Sequence, residues 1–67
     1  MNWNLEGSRV EGNYMGEFPV VGKVEISRVK YGGDVSHHIA LDTPITVYGR
    51  ECDRVILEHR FVERVFS

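Results

Sequence analysis

The sequence holds 67 residues, room for one small domain, and carries 8 Lys and Arg against 10 Asp and Glu for a net charge of −2. A chain of this size hides only about 60% of its unfolded surface, and its acidic balance excludes wholesale electrostatic binding to nucleic acid, so any such contact has to be local. Its single cysteine, Cys52, rules out an intrachain disulfide and fits a reducing compartment. Association between copies is then the expected source of added stability.

Residues 1–8 read as a short N-terminal lead and residues 9–67 as a single domain. Helical periodicity is weak over the first fifty residues, where Gly, β-branched and aromatic residues are frequent. Val10, Gly12 and Tyr14 alternate with Glu11, Asn13 and Met15 before the turn at Gly16-Glu17, which predicts a first strand. The second strand places Phe18, Val20, Gly22, Val24 and Ile26 on one face and Lys23 and Glu25 on the other. After Ser27-Arg28 the apolar positions become Val29 and Tyr31, of opposite parity. A period of two changes phase only through a bulge or bend, so the strand is expected to kink there, with Gly22 admitting a close backbone neighbour where it curves.

Gly32-Gly33-Asp34 predicts a hairpin turn. A third strand then points Val35, His37, Ile39 and Leu41 one way and Ser36, His38, Ala40 and Asp42 the other, up to a break at Asp42-Thr43-Pro44. A fourth, Ile45-Thr46-Val47-Tyr48, ends at Gly49-Arg50, and a polar turn through Glu51 to Arg54 leads into Val55-Ile56-Leu57. The tail, 58–66, fits one face of a short helix through Phe61, Val62, Val65 and Phe66 or a continued strand through Val55, Leu57, His59 and Phe61; the strand is preferred. The expected fold is all-β, a small, strongly bent, five-stranded open barrel. No apolar stretch approaches the roughly 20 residues that span a bilayer, and residues 1–6 lack the basic start and apolar run of a signal peptide. A soluble, cytoplasmic protein is expected, in the host cytoplasm if the chain is viral.

The order of these pieces resembles the Sm and Sm-like family of RNA-associated barrels, themselves related to Src-homology-type barrels. Residues 10–16, then Val21-Gly22-Lys23-Val24, then Gly32-Gly33 and residues 35–41 are similar to the family's first motif. Ile45-Thr46-Val47-Tyr48-Gly49 followed by Arg54-Val55-Ile56-Leu57 is similar to its second. The chain departs from the pattern where Arg28 and Gly32 stand near the family's Asp and Asn, where Tyr48 replaces the Arg before the terminal Gly, and in lacking the N-terminal helix. A divergent member of phage origin fits these departures. The resemblance implies a homo-oligomeric ring of about five to seven subunits, joined by pairing the free strand edges head to tail, and binding of single-stranded RNA or DNA. No cofactor and no catalysis are expected, because a Cys-His or Ser-His pair without a positioned third group or oxyanion donors is a coincidence of composition.

Single strands are held by stacking bases on planar side chains, with cations on the backbone. Lys30 and Tyr31 at the first glycine turn, Tyr48 and Arg50 at the second, and an exposed His38 are the candidates; the competing account of both tyrosines is ordinary cross-strand packing. His37 and His38 point to opposite faces of a strand and so cannot share one ion, which argues against a metal site with Cys52, Asp53 or His59; His37 is expected inward and hydrogen-bonded. Arg50, Arg54, Arg60 and Arg64 alternate with acidic residues and read as a solvated face. A second function class, a barrel acting as a protein-interaction or structural module, remains in competition.

Overall fold

Alternation of apolar and polar residues is enough to set the strands. In the computed structural model, which describes residues 3–66, they form one antiparallel sheet of five: β1 (Arg9–Tyr14), β2 (Phe18–Val29), β3 (Val35–Val47), β4 (Arg50–Glu58) and β5 (Val62–Val65). A single 3₁₀ turn, η1 (His59–Phe61), separates β4 from β5. The order across the sheet is β4-β3-β2-β1-β5, so the sheet is open, with β4 and β5 at its edges. No helix among the described residues is long and apolar enough to cross a membrane.

One sheet encloses a core only if it curls, and two irregularities curl this one. β2 advances from Val24 to Ile26 while β3 advances only from Ile39 to His38, which makes Glu25 an extra residue. The kink therefore lies earlier than the Ser27-Arg28 position that the parity predicts. Its cause is the lead: Gly7 N–H donates to the Val24 carbonyl (2.8 Å) and Val24 N–H to the Ser8 carbonyl (2.9 Å). With both backbone groups of Val24 held by the lead, the slip falls on the next residue and turns Ile26 out to solvent. Ser27 takes the inward place in its stead.

The second irregularity corrects the expected third and fourth strands, which are one. β3 runs from Ala40 to Ile45 while β4 moves only from Arg54 to Cys52, so Asp42-Thr43-Pro44 is a bulge inside a continuous strand. Pro44 has no N–H to give a ladder and is accommodated there, and Arg9 pairs with Asp42 across the sheet. Glu51 to Arg54, expected as a turn, belong to β4. The tail divides between the two readings, with η1 first and a strand after it.

Val10, Val20, Val24, Ile39, Val55 and Leu57 form the core, four strands contributing. β1 and β4 are not neighbours in the sheet, yet a Cβ at Gly12 would lie 2.5 Å from Leu57 Cδ2 and 2.6 Å from the Phe61 carbonyl oxygen. That contact across the core measures how far the sheet has folded over.

Candidate functional site

The β2–β3 connection is built to present Tyr31. Gly33 N–H donates to the Lys30 carbonyl (2.9 Å) and Lys30 N–H to the Asp34 carbonyl, and the positive φ angles of the turn fall on Gly32 (98°) and Gly33 (94°), which lack a Cβ to clash. Tyr31 precedes them with its ring fully exposed and Lys30 exposed beside it. A bare aromatic face next to a cation is what stacking on a single-strand base requires.

The chain end of β4 comes to the same rim. Trp3, Gly33, Asp34, Val35, Glu58, His59 and Arg60 line a cleft of about 450 Å³. Arg60 lies with its guanidinium carbon 4.8 Å from the Phe61 ring centroid and its Nε 3.5 Å from Glu58 Oε2. Trp3 and Arg60 thus stand close to the first glycine turn, a juxtaposition that sequence reading missed. The only signal was the polar His59-Arg60 step interrupting an otherwise strand-like tail.

Tyr48 and Arg50 are at the other end of β3. Tyr48 takes a positive φ of 49° and Gly49 one of 80°, the left-handed pair that a two-residue hairpin turn demands. The Tyr48 hydroxyl donates to Glu17 Oε2 (3.1 Å), which pushes the phenol's pKa up because ionising it would set two anions together. Its ring meets Phe18 edge-on at 6.2 Å. Tyr14, Val47, Tyr48, Arg50 and Cys52 border an open recess of about 370 Å³. The predicted residues are therefore split into a Lys30/Tyr31 group and a Tyr48/Arg50 group separated by the length of β3.

His38 belongs to neither. It lies mid-strand in register with Ile26 on one side and Ile56 on the other, on the outer face, in a shallow recess of about 420 Å³ that also takes in Glu25 and Arg54. Arg54 Nε–H donates to Glu25 Oε1 (3.0 Å), holding the Glu25 carboxyl below its usual range.

His37 is inward and hydrogen-bonded, as its parity predicts. At 0% exposure its Nδ1 is 2.7 Å from Ser27 Oγ and its Nε2 2.8 Å from His59 Nδ1. Burial, then the neighbouring His59, lowers its pKa. Among the described residues no group of three or more His, Cys, Asp or Glu is placed to hold a metal ion. Comparison with protein-family models, with curated proteins and with solved structures found no match to this chain.

Proposed function

We propose that the chain is an Sm-like, strongly bent barrel whose copies join through β4 and β5 into a ring of about five to seven subunits, and that the assembly binds single-stranded RNA or DNA. The observation that carries this reading is the strand order, which leaves β4 and β5 as open edges at opposite ends of one sheet. An open edge presents unpaired N–H and C=O groups, and pairing β4 of one copy with β5 of the next is a head-to-tail contact that closes into a ring. Ile56 of β4, Val65 of β5 and the following Phe66 are each about half exposed, so both edges offer apolar side chains for the joint to cover.

Nucleic acid is assigned to the rim of the β2–β3 turn. Tyr31 supplies the stacking face and Lys30 the backbone charge; Tyr48, tied to Glu17, and the mid-strand His38 are given smaller roles. No catalytic step is assigned, since Ser27, hydrogen-bonded to a histidine, is buried and already accepts from Leu5 N–H (3.0 Å). A second reading, a protein-interaction module, draws on the outer row Ile26-His38-Ile56, whose two isoleucines are exposed. Titration of a labelled single-stranded oligonucleotide at rising salt separates the two. Binding through phosphates weakens steeply between roughly 50 and 200 mM salt; an absence of binding at the low end removes the nucleic-acid role.

A further inference from the structure

The Ser27–His37–His59 chain, buried at Ser27 and His37 and half-buried at His59, joins β2, β3 and η1 by two hydrogen bonds and takes no part in the function proposed above. We propose that these three side chains form a latch that accommodates one added proton and opens on the second, fastening η1, and with it the edge strand β5, to the core at neutral pH and releasing both in acid.

Counting protons gives the closed state. Ser27 Oγ accepts from Leu5 N–H, so its own hydrogen is free to donate, and the acceptor 2.7 Å away is His37 Nδ1. His37 then carries its hydrogen on Nε2 and donates it to His59 Nδ1 at 2.8 Å; His59 keeps its hydrogen on Nε2. Both hydrogen bonds of the chain are made with both rings neutral. One added proton leaves the nitrogen-to-nitrogen contact intact, because whichever ring carries it, one N–H still faces one bare nitrogen; His37 then donates from Nδ1 to Ser27, whose own hydrogen gives up that acceptor. A second proton places N–H against N–H at that contact, between two cations, and it has to part.

His59 borders the cleft with Asp34 of the β2–β3 turn, Glu58 of β4 and Arg60 of its own turn, and Arg60 is drawn to Glu58. On the far side Glu6 of the lead accepts from Ser27 N–H (2.9 Å). β1 contributes Gly12 to this region and β4 faces His37 with Leu57, neither charged. His37, fully enclosed, resists charging.

Release reaches β5 because His59 opens η1 and its carbonyl accepts the Val62 N–H that begins β5. β5 is only four residues long and pairs on one side, with β1. Opening the latch removes the anchor from the shorter of the two edges.

The test is read on the chain itself, at a concentration and pH where its mass is checked, so failure of the ring reading leaves it intact. Nitrogen-15 spectra of the histidine rings are recorded from about pH 7 to about pH 4.5 together with amide-exchange protection of Phe66, whose N–H donates to the Arg9 carbonyl at the end of the β1–β5 pairing. The expected result is a neutral-pH His37 with its hydrogen on Nε2, and protection of Phe66 falling about tenfold or more once both rings carry charge. His59→Gln, whose amide oxygen accepts from His37 Nε2–H in either charge state, is expected to keep Phe66 protection within about threefold over the same range. Equal loss in wild type and variant overturns the latch. So does a neutral His37 with its hydrogen on Nδ1, a measurement that needs no variant to fold.

Discussion

Replacing Gly22 with alanine tests the curl of the sheet at its tightest point. A Cβ there would press against the Ala40 carbonyl oxygen and lie 2.8 Å from Ile39 Cγ2 and 2.9 Å from the Ala40 carbonyl carbon. Ile39 is a side chain and can turn. Ala40 is backbone, paired on both sides, to Lys23 and to Arg54, and cannot move without disturbing three strands. Overpacking of this kind costs about 1 to 3 kcal/mol, and the upper half of that range is expected because the obstruction is main chain. A domain of this length is stable by about 3 to 10 kcal/mol in total, so the variant should lose a large share of its margin and melt roughly 8 to 20 °C lower. Urea unfolding of both proteins, followed by far-ultraviolet circular dichroism, gives the difference directly. A loss below about 0.5 kcal/mol, the usual scale of surface substitutions, would refute the close approach of β2 and β3 on which the folded-over sheet rests.

Ser27→Ala leaves Leu5 N–H and His37 Nδ1 without their partner, and chemical denaturation should register a cost of about 1 to 3 kcal/mol. Because the folded-state pKa of His37 is depressed, the unfolded chain binds more protons; its contribution to stability is whole above the unfolded value near 6.5 and declines as pH falls from there toward the lowered folded value. Thermal melts across that window should show Tm dropping in wild type and dropping less in His37→Phe, and a flat profile in wild type would contradict the burial of a neutral ring. Tyr31→Ala should weaken binding of a single-stranded oligonucleotide by about 1 to 3 kcal/mol with solution mass unchanged, whereas Tyr48→Ala should do less. Equal effects of the two in fluorescence anisotropy would dissolve the division between the two ends of β3.

Much of the fold is legible in local alternation. Val10, Val20 and Val24 on one face, Gly22 as the point of closest approach and His37 inward with His38 outward all follow from a period of two. What alternation cannot reveal is where a long-range bond pins the chain. The β2 slip sits at Glu25 because the lead holds Val24, and no property of residues 25–28 announces that partner. Asp42-Thr43-Pro44 has the composition of a turn, but cross-strand pairing on both flanks carries β3 straight through it as a bulge. The same blindness affects the site. Tyr31 and Tyr48 each neighbour a glycine turn and look equivalent in sequence, yet joining the expected third and fourth strands into β3 sends them to opposite ends. His59 meets His37 across a separation of 22 residues, and Ser27 reaches His37 as its register partner only because the slip in β2 turns it inward.

Assembly through the strand edges is tested most directly by the mass of the wild-type protein in solution, measured by light scattering behind size-exclusion chromatography at neutral pH. A ring predicts a single species of about five to seven times the 7.7 kDa chain mass. A species of 7.7 kDa that persists at rising concentration would contradict it.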